Sequence, residues 1–353
     1  MTVPPPHLRA TPRTVRWGDL PCAGDEPVLE VDPGTVVVVD TVSHEGILED
    51  QGRDPVAFFT ARGIDAAAVL PDAVDVAAHV DHDAALHGPH VVTGPIAVRG
   101  ARPGDVLSVT VEHLELRADY GVVSNRHGRG ALPAEFPLGG STDVVSVLAR
   151  VETDPVTGEL RGSMPAGPHT DARVRFPLRP FLGLVGVGTA GPHHLHSVPP
   201  GMHGGNIDVS VLGVGSTLHL PVQVEGALFY AGDPHYSQGD GEVALTAFEA
   251  PLRARVRLDL VPAAAVRVRD VLWGETPDLL VPLGIHLDLA EAMRTSVRTA
   301  VALLVDLGME PAHAYAYLSA AGDFAVSQVV DRVSGVHGKI RKADLVELTR
   351  SAR

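Results

Sequence analysis

The hydrophobic pattern of the chain changes period once. Up to about residue 285 the apolar residues come in short runs separated by Gly, Pro, Asn and Asp, and beyond it they recur at helical spacing. DPGTVVVVD predicts a turn at Asp32–Gly34 and then a valine strand of the buried type ending at Asp40. A short helical patch is expected near Asp54–Arg62, and HVDHDAALHGPH, residues 79–90, has no period and reads as a loop. VVTGPIAVRGARPGDVLSVTVEHLEL reads as two strands joined by a Pro-Gly turn, the second with Leu107, Val109 and Val111 on one face and Ser108 and Thr110 on the other. Residues 119–142, punctuated by Gly and Pro, read as a long functional loop or lid. DVVSVLARV, FLGLVGVG, IDVSVL, TLHLPVQV, ALFYA and EVALTAF are further strand candidates. LRARVRLDLV alternates basic and apolar residues from Leu252, as a strand with one wet face does.

In residues 288–307, Leu289, Met293, Val297, Val301 and Leu304 share one helical face, Asp288 and Glu291 stand at capping-box spacing, and Gly308 follows. EPAHAYAYLSAAG, with Pro311 in a first-turn position, predicts a second helix, and VSQVVDRVSG and ADLVELTRSA extend this helical end. Strands first and helices last make the expected class α+β, predominantly β, with stacked or barrel-like antiparallel sheets. The chain is expected to be one unit, β-rich over 30–285 and helical over 286–353.

Composition narrows the function. The 353 residues, 45% hydrophobic, are enough for a sizeable core, and a formal charge of −15 from 28 basic and 43 acidic residues repels nucleic acid and anionic membrane surfaces. No apolar run is long enough for a signal-peptide core or a membrane span. Cys22, the single cysteine, excludes an internal disulfide and a multi-thiolate metal site, and a reducing cytoplasm is the expected location.

Candidate chemistry concentrates in GDPHYSQGDGE, residues 232–242, where Asp233, His235, Gln238, Asp240 and Glu242 crowd one loop. A solvated hairpin tip accounts for polar residues there. Carboxylates this close raise one another's pKa unless a cation sits between them, and oxygen and imidazole donors without thiolates suit Zn²⁺, Mn²⁺ or Fe²⁺. Just upstream, HGGNIDVS offers His203, Asn206 and Asp208; it is readable as an ordinary turn, or as paired glycines that bring backbone amides and Asn206 to a developing oxyanion. Most of the 18 histidines must be ordinary polar or packing residues. HExxH and GxSxG motifs are absent, and GVGTAG, residues 186–191, lacks the helix and spacing of a nucleotide loop.

The run from Gly204 to Glu249 resembles the acetamidase/formamidase family, as do HVVTGPIAVRGARPGDVLSVTV from His90 and the final AYAYLSAAGDFAVSQVVDRVSGVHGKI. The resemblance implies a largely β, oligomeric, cytoplasmic hydrolase of short amides with a bound divalent metal; a homo-oligomer, dimer or higher, is expected. Its motifs match at Asp40, His90, Asn206, Asp208, His235, Gln238, Asp240 and Glu242. After Asp40 the chain reads TVSHEGILED where many relatives carry a glycine-rich GQ pair, so His44 and Glu45 add polar bulk near the site wall.

Amide hydrolysis needs an activated water, a stabilised oxyanion and a proton for the departing amine. The expected assignment has Asp40, His90, Asp208 and His235 as ligands of a divalent cation, zinc first. Glu242 moves the proton with Asp240 as the second catalytic carboxylate, and Asn206, Gln238, His44 and Glu45 contact the substrate. Two other readings stand beside it: a metal-dependent hydrolase of a larger or cyclic amide, to be distinguished by the pocket volume near His44, Glu45 and Phe229, and a non-catalytic metal-binding β-protein.

Overall fold

The computed structural model describes residues 4–137 and 143–351. The largest sheet has nine strands among these residues, and Leu252–Val261 lies at its heart, antiparallel to both Thr35–Asp40 and Val106–Leu116. The alternation in LRARVRLDLV does what its pattern predicts: Leu252, Ala254, Val256 and Leu258 are fully buried, while Arg255 on the other face pairs with Glu112 at 2.9 Å. Val37 and Val39 of the valine strand are buried against them, each worth about 1.5–3 kcal/mol over an exposed position.

A second sheet orders Gly204–Asn206, Phe181–Gly186, Phe229–His235, Val91–Val98 and Val15–Trp17, with Leu29–Val31 pairing parallel to Val91–Val98. Ile96, Leu182, Val185 and Phe229 from this sheet share one apolar cluster with Leu107, Val109, Leu220 and Val256 from the first, so the two are stacked face to face. Among the described residues no sheet closes into a barrel. The class is α+β and mostly β, as the sequence predicts.

Several local expectations give way. The strands Val91–Val98 and Val106–Leu116 flank the Pro-Gly turn but are not a hairpin; the turn passes the chain from one stacked sheet to the other. The expected loop over 119–142 begins with a strand, Tyr120–Arg126, of a four-stranded sheet, and residues 138–142 lie outside the described residues. IDVSVL and EVALTAF are not strands, because Asp208 (φ 48°), Glu242 (φ 46°) and Leu245 (φ 110°) leave the extended region. VSQVVDRVSG is not helical: it spans the turn between the antiparallel strands Asp323–Gln328 and Ser334–Arg341, which add the C-terminal edge of the nine-stranded sheet.

The two expected helices form as Leu289–Asp306, with the Asp288 side chain accepting from Glu291 N, and Pro311–Ala321. The first keeps Leu304 buried and Val297 and Val301 packed against the C-terminal cluster, as its pattern suggests, but its N-terminal half buries other residues. Ala292, Ser296, Thr299 and Ala300 face inward, whereas Leu289 and Met293 are 42% and 37% exposed. Small residues win because the helix lies directly on Gly284 of the Leu279–His286 strand. A Cβ there would collide with the carbonyl of Ala292 and come within 2.5 Å of Ser296 N. Gly284→Ala is therefore expected to cost about 2 kcal/mol or more through overpacking, read as a lower urea midpoint with unchanged slope. An unchanged midpoint would mean that the helix retreats freely.

Candidate functional site

The Phe229–His235 strand ends in Asp233 and His235, both buried. His235 is oriented by a chain of hydrogen bonds whose polarity is fixed. Gln238 Nε2 donates to the backbone carbonyls of Asp208 and Ser327 at 3.0 and 3.2 Å, so its Oε1 is turned to accept from His235 Nδ1 at 3.0 Å. The other ring nitrogen, Nε2, then faces Asp233 Oδ2 at 3.0 Å and Glu249 Oε1 at 2.9 Å. Despite these distances Nε2 makes no aligned hydrogen bond, and Asp233 Oδ1, Glu249 Oε2, both carboxylate oxygens of Asp208 and His44 Nδ1 are likewise buried without one. Donor atoms that converge without bonding to one another suit a shared cation.

Three overlapping groups have ligand atoms within 4.8 Å of one another: Asp233, His235 and Glu249; His44, His90 and Asp233; and Asp208, His235 and Glu242. Their electrostatics fit the same ligand. Burial holds His90 down to about 4, leaving a neutral imidazole whose Nδ1 lies 3.0 Å from Ser197 Oγ. Burial pushes Asp208 and Glu242 well above the carboxylate range, helped in both by neighbouring carboxylates, and raises Asp331 to about 7. For Asp233 burial acts upward but the His235 and His90 rings outweigh it and hold the carboxyl well down; His235 is in turn raised well above its usual value, Glu249 and Asp233 overcoming its burial. These residues can hold a divalent cation with mixed oxygen and imidazole donors.

Beneath the cluster runs Phe181–Gly186, the neighbouring strand. A Cβ on Gly183 would come within 2.5 Å of Asp208 Oδ1 and 2.7 Å of Asp233 Oδ2, so only glycine leaves the space these carboxylates use. Asp208, Asp233 (φ 49°) and Glu242 all sit in the left-handed region, at a cost of about 1 kcal/mol or more each. The paired glycines of HGGN serve the backbone: Gly204 and Gly205 have φ of 81° and 80°, and a Cβ on Gly204 would strike the Val185 carbonyl.

A cavity of about 450 Å³ opens onto the cluster, with His44, His90, Asn206, Asp233, Glu242, Glu249 and Asp331 toward its floor. Of the residues singled out in the sequence, the structure thus brings together His44, His90, Asn206, Asp208, His235 and Glu242. It leaves four elsewhere. Asp40 is buried but spent, its oxygens held by Arg253 at 2.6 and 3.1 Å and by His7 at 3.0 Å. Asp240 is exposed, accepting from Ser210 and lying 3.7 Å from Lys339. Glu45 is pinned by Arg126 at 2.8 Å and by Ser124 and Gln51, and Gln238 stands behind His235; neither lines the cavity. Phe229 is in the core.

Asp233, Glu249 and Asp331 join the cluster without having been assigned to it from the sequence. Asp233, two residues before His235 on the same strand, was the legible one. Glu249 lies across an isolated bridge from His235 and ends an apolar run, a weak signal. Asp331 comes from the distant C-terminal hairpin, held by its backbone N–H donating to Gln328 Oε1 at 3.1 Å, and nothing local marks it.

Fold and site together define a β-rich protein with a buried histidine–carboxylate centre at the floor of a cavity. Residues 187–269 match the model of the Acetamidase/Formamidase family, so the resemblance seen in the sequence holds. The chain is similar to a formamidase of Methylophilus methylotrophus, 26% identical over 191 residues, which are 44% of this chain and 47% of that protein. It is also similar to an acetamidase of Mycolicibacterium smegmatis, 29% identical over 199 residues, 44% of this chain and 49% of that one. The chain thus matches about half the length of these curated relatives. Its fold matches the crystal structure of an acetamidase from Bacillus halodurans with a TM-score of 0.74 at 21% identity, covering 97% of this chain and 99% of that one. No helix among the described residues is long and apolar enough to cross a membrane.

The Arg126–Glu45 pair lies beside the site, Arg126 lining the cavity and Glu45 Oε1 standing 3.6 Å from His44 Nε2. Arg126→Met should strand a buried carboxylate and cost about 3 kcal/mol in urea unfolding. A loss below about 1 kcal/mol would mean that Glu45 finds Ser124 and Gln51 sufficient.

Proposed function

We propose that the protein hydrolyses the C–N bond of an amide to a carboxylate and ammonia, with a divalent cation, zinc first, held by Asp233, His235 and Glu249 and flanked by His44, His90 and Asp208. The observation that carries this reading is the set of buried, unpartnered donor atoms converging at the cavity floor. The names of the relatives, a formamidase and an acetamidase, support the substrate class. A bound cation supplies Lewis acidity toward the carbonyl and lowers the pKa of water.

The remaining steps belong to the chain. Glu242, buried and facing the cavity, takes a proton from the attacking water and delivers it to the amide nitrogen, so that the carbonyl carbon gains an oxygen, the C–N bond breaks and ammonia leaves. Its carboxyl is pushed well above the usual range, first by burial and then by Asp331. Asn206, whose Oδ1 is buried without a partner, orients the substrate amide by accepting its N–H. Gln238 contributes indirectly, by fixing the tautomer of His235. The protein acts as one unit in the cytoplasm, in a homo-oligomer.

Elemental analysis combined with ammonia release from acetamide and formamide tests the reading. One divalent cation per chain is expected, with activity lost on chelation and restored on its return; an active preparation free of metal sinks it. His235→Ala, Asp233→Ala and Gly183→Ala should each lower both metal content and turnover, the last by filling the space beside Asp208 and Asp233. Glu242→Gln should keep the metal and lose about 10²–10⁴ in kcat. A Gln variant that loses its ion makes Glu242 a ligand, and one that retains full rate removes it from the mechanism.

A further inference from the structure

The cavity is too large for its simplest substrates. Its volume of about 450 Å³ lies in the range of sites for much bigger ligands than formamide or acetamide. Its charge is also divided. The floor is acidic, and three arginines line the walls and rim: Arg126, Arg129 and Arg332. Arg126 is fully committed to Glu45 and Asp50, at 2.8 and 2.6 Å. Arg129 and Arg332 are exposed, and among the described residues neither has a carboxylate within ion-pair distance. In a chain with 43 acidic residues against 28 basic ones, two unpaired guanidiniums at one cavity mouth call for an anion.

The backbone holds this arrangement in place. Arg332 has φ of 62°, in the left-handed region, and its Nη2 donates to His196 Nε2 at 3.1 Å, which steers the guanidinium along the rim. His196, also lining the cavity, is lowered to about 4, by burial and then by Arg332 and Arg129, so both guanidiniums act on the same spot. Arg332 directly follows Asp331, so one short segment supplies an exposed guanidinium and a buried carboxyl to the same cavity.

We infer that the substrate is an amide carrying a carboxylate on the far end of a short acyl chain, its C–N bond at the acidic floor and its carboxylate on Arg129 and Arg332. The inference rests on the amidase reading above and specifies its substrate class. Guanidinium forks match planar carboxylates, and each charge-assisted pair here is worth about tenfold in binding. A neutral alkyl amide of the same length leaves both arginines unpaired.

The test compares succinamate with butyramide as substrates of the metal-loaded enzyme, and succinate with butyrate as ligands by calorimetry. The parent should favour succinamate by about tenfold or more in kcat/KM, mostly through KM, and Arg129→Gln and Arg332→Gln should each reduce that preference about tenfold. Equal handling of the two amides by the parent, or a preference untouched in both variants, overturns the inference. If neither amide releases ammonia the amidase reading falls, and calorimetry then decides alone. Tighter binding of succinate than butyrate that is lost in both variants sustains the anion site; equal binding of the two acids ends it.

Discussion

Five carboxylates, those of Asp208, Asp233, Glu242, Glu249 and Asp331, are buried within reach of three imidazoles, and everything around the site answers to that excess of negative charge. Taking an ion out of water costs several kcal/mol, and like charges at close range add to the cost, so the cluster must acquire protons or a cation. The raised Asp208, Glu242 and Asp331 carboxyls express the first solution, and the unpartnered oxygens and His235 Nε2 are shaped for the second. Most of these side chains come from bends and irregular segments, and burial against the sheets is what keeps water from relaxing them. The stacked sheets provide the rigid, dry frame, and Gly183 keeps the frame from intruding.

Much of this frame was legible in the sequence because sheets advertise themselves through alternation. The Leu252–Val261 strand, with a residue-by-residue change of face, and the valine strand ending at Asp40 came out as read. The chemistry of GDPHYSQGDGE was legible too, since a histidine among carboxylates has few bland explanations. The two failed strands share one physical reason: IDVSVL and EVALTAF have strand composition, yet Asp208 and Glu242 take left-handed backbone. Local pattern breaks down where the chain is bent to aim a side chain.

Other misreadings were matters of partner choice. Asp40 reads as a ligand because its position matches a motif of the family the chain resembles, but its partners, Arg253 and His7, come from strands remote in sequence and hold its oxygens. Leu289 and Met293 read as buried in the sequence, but the N-terminal half of the Leu289–Asp306 helix lies on Gly284 and buries Ala292 and Ser296 instead. Asp331 was invisible because its role depends on where a distant hairpin lands.

That hairpin sets an order of events for the folding chain. Gly241 N–H donates to the Ser327 carbonyl at 2.9 Å, and Gln238 Nε2 reaches the same carbonyl, so the segment bearing Glu242 is tethered to residues made long after it. The strand bearing His235 can pair with its sheet neighbours early, but the orienting contacts behind the ring wait for the last strands to dock. Long-range contacts of this kind slow folding. The centre is therefore completed only when the C-terminal hairpin docks, so a chain truncated before that hairpin would carry the His235 strand without the contacts that orient its ring.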